Sequence, residues 1–167
     1  MIPEIRKATL SDVPAITEIY NEAILTTDAS FDVEPKTIAS QKKWFGEHGS
    51  KNPILIAEID GKVVGWVSLS RWSDRCAYSD TAEISLYIKD GFRNRGIGKK
   101  LMKTILAEGE KVGLHTIISR ITGNNNVSIR LHEQFGFKNI GVMKEVGKKF
   151  GKLLDVCMMQ KIYQPRQ

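Results

Sequence analysis

A chain of 167 residues, 41% hydrophobic and 26% charged, has the composition of an ordinary soluble domain and the length to bury one core without disulfides or a metal. Cys76 and Cys157 lack metal-ligand spacing and read as free thiols in a reducing cytosol, with one disulfide between them left open, while no apolar run is long enough for a bilayer span and Met1–Lys7 is too charged for a leader. The net charge of +6 favours an anionic partner, but the basic residues are dispersed rather than blocked, which points away from nucleic acid and membrane.

Taken in chain order, Ile2–Lys7 alternates as a short strand, and Thr9-x-x-Asp12 resembles a capping box ahead of a helix near residues 11–25, with Val13, Ile16, Ile19, Tyr20 and Ile24 at helical spacing. Pro35 suits the first turn of a second helix whose apolar face carries Ile38, Trp44 and Phe45, ended by Gly46 and Gly49. Ile54–Ile59 and Val63–Leu69 form a hairpin through Asp60-Gly61, a pair that tolerates positive φ at both turn positions. Thr81–Ile88 is a strand, residues 96–112 a helix stopped by Gly113, and Leu114–Ile121 a strand. A short helix over Asn125–Phe135 ends at Gly136, and strands near 137–146 and 153–162 close the chain. The order βααβββαβαββ predicts an α/β (α+β) fold: one mixed sheet with helices on both faces, in a single domain over 1–167.

The segment from Tyr87 to Leu101 runs from strand through a basic, glycine-containing turn into a helix. A helix start presents unpaired N–H groups and the positive end of the dipole. Gly96 and Gly98 allow close approach to that backbone, and Arg93, Arg95, Lys99 and Lys100 add charge, so the turn suits a diphosphate. It is neither a P-loop, since no Gly-Lys-Ser/Thr follows, nor a Gly-x-Gly-x-x-Gly dinucleotide turn. The plain alternative is a glycine turn with solvated charges.

Arg93-x-x-Gly96-x-Gly98 resembles the Arg/Gln-x-x-Gly-x-Gly/Ala signature of the GCN5-related acetyltransferases. Asn125-Asn-Val-Ser128-Ile-Arg-Leu131-His132-Glu-Gln-Phe-Gly136-Phe137 resembles that superfamily's second cofactor segment. Phe31-Asp-Val-Glu34-Pro35, Tyr78-Ser-Asp-Thr81-Ala82-Glu83 and Leu131-His132-Glu133 are similar to the phosphinothricin and methionine sulfone acetyltransferase subfamily. The resemblance implies acetyl-CoA as cofactor, a small-molecule amine as acceptor, a homodimer, and a sheet splayed between the strands at 81–88 and 114–121; the cytoplasmic location rests on the free thiols. It implies that Leu86, Tyr87 and Ile88 offer a backbone edge to pantetheine, that Arg93, Asn94, Arg95, Gly96, Ile97, Gly98 and Lys99 hold the diphosphate, and that Asn125 and Ser128 contribute from the next helix.

Amine attack on a thioester calls for a proton acceptor, a donor for the leaving thiolate, and an N–H for the polarised carbonyl. Glu83 shares a strand face with Ser85 and Tyr87, opposite Ala82, Ile84, Leu86 and Ile88, and a mid-strand carboxylate is a candidate base; its structural alternative is a sheet-face salt bridge. His132 shares a helical stripe with Asn125 and Ser128, with Val127, Leu131 and Phe135 on another, and suits either acid or base. By the resemblance, Arg75 in Trp72-Ser-Asp-Arg75-Cys-Ala-Tyr78 grips the acceptor's carboxylate, and Phe31, Trp72 and Tyr78 wall the pocket. Arg71 and Asp155 are weaker candidates, and no metal site is expected. Two other readings remain: a peptide or protein N-terminal acetyltransferase, and a non-catalytic acyl-CoA-binding module.

Overall fold

The computed structural model describes residues 1–165, so the last two residues of the expected 1–167 domain lie outside the described part. The chain forms β1 (Glu4–Lys7), α1 (Val13–Thr26), α2 (Ile38–Gly46), β2 (Ile54–Ile59), β3 (Lys62–Arg71), β4 (Thr81–Ile88), α3 (Ile97–Lys111), β5 (Thr116–Thr122), α4 (Asn126–Gln134), β6 (Lys138–Lys149) and β7 (Lys152–Ile162). This is the expected βααβββαβαββ order. The strands form one seven-stranded sheet, β1-β2-β3-β4-β5-β7-β6. Every pairing is antiparallel except β4 with β5, which is parallel.

Both faces of the sheet are covered, which is why β2 and β3 read as near-continuous apolar runs. Leu55, Ala57 and Ile59 pack with Val67 and Leu69 against Ile97, Leu101 and Ile105 of α3. Ile54 and Ile56 turn the other way, joining Trp66 against Ile16 and Ile19 of α1. Asp60 and Gly61 take φ of 49° and 75°, as the β2–β3 turn requires.

Four boundaries differ from the sequence expectation, each for a local reason. The first helix is preceded by a separate 3-10 turn, Leu10–Asp12, where the Asp12 carboxylate accepts from the Thr9 N–H at 2.7 Å and from Arg6. Pro35 lies before α2 rather than in its first turn: Thr37 is the N-cap, its hydroxyl accepting from Ser40 N–H at 3.0 Å, and Ile38 is 47% exposed. Asn21 holds both backbone groups of Lys36, which keeps the chain extended up to that cap. β5 begins at Thr116, because the His115 N–H bonds Asp80 O instead of a strand partner. The last two strands run longer, to a tight turn in which Phe150 and Gly151 both have positive φ.

Candidate active site

β4 and β5 pair over only Thr81–Glu83 with Thr116–Ile118. Beyond that register the strands separate, leaving the Ile84–Ile88 edge without a β5 partner, and a cavity of about 390 Å³ opens between them. Side chains alternate along both strands, so Glu83, Ser85 and Tyr87 face α1 and α2 together with Ile118, Arg120 and Thr122, whereas Ile84, Leu86 and Ser119 face α3 and α4. The cavity is therefore reached from both faces of the sheet.

Glu83 sits where the splay begins, and its carboxylate takes both the Nε–H and the Nη2–H of Arg120, the latter at 2.8 Å. The salt-bridge alternative is thus realised on the cavity wall itself, which both residues line. The carboxylate raises the Arg120 pKa further above its usual value, and the guanidinium lies 5.7 Å from the Trp72 ring centroid. Sequence reading missed Arg120. The signal was a charged residue inside the apolar β5 run, on the same strand face as Glu83 once the two strands pair.

His132 is 4% exposed. Its Nδ1 lies 2.7 Å from Ser128 O, which can only accept, so the proton of the neutral ring sits on Nδ1. Nε2 then accepts from the Ser119 hydroxyl at 3.0 Å. Burial pushes the His132 pKa below the usual histidine value, with the Ser128 carbonyl opposing. His132 and Ser119 both line the cavity, on the face opposite Glu83. Val127 does not share a packed stripe with Leu131 and Phe135; it is 71% exposed.

The turn between β4 and α3 is exposed, and Gly91, Asn94 and Gly96 have φ of 82°, 61° and 78°. Lys100 N–H is the first in α3 to find a carbonyl, Gly96 O at 3.2 Å; those of Ile97, Gly98 and Lys99 have no partner among the described residues. A Cβ at Gly96 would meet nothing within 4 Å, so the turn is open to an approaching ligand. Arg93 reaches Ile88 O, and Arg95 stacks over Phe92. These donors, the open backbone and the exposed cations fit a diphosphate, and the unpaired β4 edge fits a chain of amides. At the head of α4, the Asn125 side chain caps by accepting from Ser128 N–H at 3.2 Å, and both residues line the cavity.

Phe31 lines the cavity from the loop between α1 and α2. That loop is held by Thr122 Oγ1 on Asp28 O, Lys149 Nζ on Ser30 O at 2.6 Å, and Tyr20, whose hydroxyl bonds Asp32. Burial pushes the Lys149 pKa down, with Asp28 and Asp32 opposing. Tyr87, at the cavity, is pushed up to about 12 by burial and stays a neutral hydroxyl. Trp72 is half-buried beside Arg120, and Arg75 and Tyr78 are exposed around a 3-10 turn; of the expected pocket walls Phe31 lines the cavity, whereas Trp72, Arg75 and Tyr78 lie outside its wall. Arg71 is also exposed, paired to Asp74, and Asp155 is taken up by Lys144 and the Glu145 N–H. No metal-binding cluster of His, Cys, Asp or Glu is present among the described residues.

Residues 15–137 match the sequence model of the Acetyltransferase (GNAT) family. The L-methionine sulfoximine/L-methionine sulfone acetyltransferase of Pseudomonas aeruginosa is 35% identical over 162 residues, 96% of this chain and 94% of that protein. A phosphinothricin acetyltransferase from Sinorhizobium meliloti, solved in complex with acetyl-CoA, superposes with a TM-score of 0.93 at 33% identity, covering 97% of this chain and 89% of that one. A ribosomal-protein-alanine N-acetyltransferase from Brucella melitensis superposes with a TM-score of 0.92 at 34% identity, covering 96% and 99%.

Proposed function

This chain belongs to the acetyltransferase (GNAT) family, and from that membership and the splayed-sheet cavity we propose that it transfers acetyl from acetyl-CoA to the amino group of a small amino acid of the methionine sulfone, methionine sulfoximine or phosphinothricin kind, with Glu83 as proton acceptor. Membership carries the enzyme class, N-acetyltransferase. The observation that carries the rest is the meeting of Glu83 with the open β4 edge in a cavity of about 390 Å³, the size of a small-molecule site.

When bound, acetyl-CoA supplies an activated acyl carbon and a thiolate leaving group. The N–H groups at 97–99, which have no partner among the described residues, would hold its anionic phosphate oxygens, with Arg93, Arg95 and Lys99 near them. The edge of Leu86–Ile88 that lacks a β5 partner, where Ile88 O accepts from Arg93, would orient the arm between turn and cavity, with Asn125 and Ser128 across the splay. Glu83, held by Arg120, accepts a proton from the acceptor's ammonium, directly or through one water, and so keeps the amine nucleophilic. His132, neutral and accepting from Ser119, takes the second proton that the attacking nitrogen loses and, once protonated, returns it to the leaving thiolate, so that Glu83 keeps the first proton and the transfer closes. Phe31 forms a wall of the acceptor pocket in this reading, and the enzyme works as a homodimer.

The similarity to a ribosomal-protein-alanine N-acetyltransferase favours one second reading, an N-terminal peptide acceptor. One assay decides: thiol release from acetyl-CoA with L-methionine sulfone, L-methionine sulfoximine, phosphinothricin and an alanine-initiated hexapeptide in parallel. Turnover on the amino acids, falling about 10²–10⁴-fold in Glu83→Gln with coenzyme A affinity retained, is the expected result. Turnover on the peptide alone would replace this reading with the second.

A further inference from the structure

The proposed acceptor is an amino acid, so its carboxylate needs a partner as well as its amine. We infer that the Nη1/Nη2 edge of Arg120 is that partner, which deepens the acceptor reading above and rests on it. Arg120 is the one cationic side chain in the cavity wall among the described residues, since His132 is held neutral. Its guanidinium presents two edges that match a carboxylate. Glu83 occupies the Nε/Nη2 edge. Nη1 makes no hydrogen bond among the described residues, so the second edge is free, and the side chain is 54% exposed. Contact with Trp72 keeps the guanidinium from swinging away.

The charges close on this arrangement. Glu83 and Arg120 are neutral as a pair, and a zwitterionic amino acid adds one carboxylate and one ammonium. A carboxylate on the free edge stands beside that of Glu83 on one guanidinium, and their repulsion is offset by the ammonium one carbon away. That spacing places the amine next to Glu83, so the group that selects the acceptor also delivers its proton to the base. The other carboxylate of the cavity wall, Asp32, is engaged by Tyr20 and by Lys36 at 3.4 Å and faces no free cation. Arg75, the alternative guanidinium, stands outside the wall.

The test compares L-methionine sulfone with its carboxamide, at saturating acetyl-CoA, in the wild type, Arg120→Met, Arg120→Lys and Arg75→Met. Wild type prefers the acid. Arg120→Met raises KM for the acid about 10- to 100-fold while KM for the carboxamide stays nearly unchanged, and Arg120→Lys recovers part of the difference. Any loss of kcat shared by both acceptors reports the disturbed Glu83 and leaves the acid-to-amide ratio as the readout. Calorimetric binding of L-methionine sulfone in the presence of coenzyme A weakens in parallel, which a purely structural role does not require. Equal KM changes for acid and amide, or a selective loss in Arg75→Met alone, overturns the assignment. A wild type that acetylates acid and amide equally also overturns it while leaving the acceptor reading standing; a wild type that acetylates neither overturns that reading itself.

Discussion

Arg6 shows how a single side chain fixes an entry point of the fold. Its guanidinium reaches both Asp12 oxygens, at 2.8 and 2.9 Å, and Glu58 at 2.9 Å, joining β1, the turn before α1 and β2. Arg6 holds the Asp12 carboxyl below the usual carboxylate range, against the opposing effect of burial. With its folded value depressed, the contribution of Asp12 is complete above its unfolded value of about 3.9 and disappears as the pH falls through the lower, folded one. Asp12→Asn keeps an acceptor for the Thr9 N–H but leaves Arg6 short of one carboxylate. Its expected cost is about 2 kcal/mol, below the ~3–5 of a fully buried pair because the Arg6 side chain is partly exposed, or roughly 4–8 °C in Tm by calorimetry at pH 7. His132 gives a second check. Its folded pKa is depressed, so the neutral form that bonds Ser119 and Ser128 is stabilising above about 6.5, the unfolded value, and that stability is lost as the pH falls through the folded one. Activity should therefore show no inflection from His132 above about 6.5, and an acid limb below 6.5 should change in His132→Gln; an inflection between 7 and 8 that vanishes in this variant would contradict the buried neutral ring.

Among the elements, the loop between α1 and α2 and the β6–β7 hairpin form one unit around the cavity. A Cβ built at Gly147 would lie 2.3 Å from Phe31 Cε2, so the phenyl ring occupies the place a side chain on β6 would take. Gly147→Ala forces that ring to move, with about 1–3 kcal/mol of destabilisation as in other overpacked sites. The expected kinetic outcome is a raised KM for the acceptor with KM for acetyl-CoA unchanged; equal changes in both would mean that Phe31 does not wall the acceptor side. This contact also marks what the sequence made legible. Helix periodicity found α1 and α3 within a residue or two, Asp60-Gly61 set the β2–β3 hairpin, and Gly113 and Gly136 marked stops that the structure realises at φ of 88°. All of these signals are local. The link between Gly147 and Phe31, the reach of Lys149 to Ser30, and the Glu83–Arg120 pair join positions far apart in the chain, and no periodicity reports them. Arg75 illustrates the same limit: its motif was legible, but its place relative to the cavity was not.

Across the whole molecule, the sheet supplies a rigid frame whose one parallel junction is left incomplete, and the basic turn lies at the end of the strand that loses its partner. The net charge of +6 becomes meaningful here: Arg93, Arg95, Lys99 and Lys100 form an exposed group beside N–H donors that have no partner among the described residues. A ligand that fills those donors binds the folded state and not the unfolded one, so it must raise thermal stability by mass action. At 100 times its dissociation constant, coenzyme A should add about 2.7 kcal/mol, or roughly 5–11 °C for a chain of this size. Pantetheine, which has the amide arm without the diphosphate, should shift Tm far less at the same concentration. Salt separates the two kinds of donor. Contributions from the exposed cations are screened as ionic strength rises, while backbone hydrogen bonds persist, so the coenzyme A shift should shrink between 0.05 and 0.5 M salt on the order of Debye screening without vanishing. Gly96→Val strains a residue at φ of 78° and places a side chain over the turn, and should reduce the coenzyme A shift while leaving the small pantetheine shift in place. If pantetheine and coenzyme A stabilise the protein equally, the phosphates are bound elsewhere and the turn at 93–98 is only a helix start.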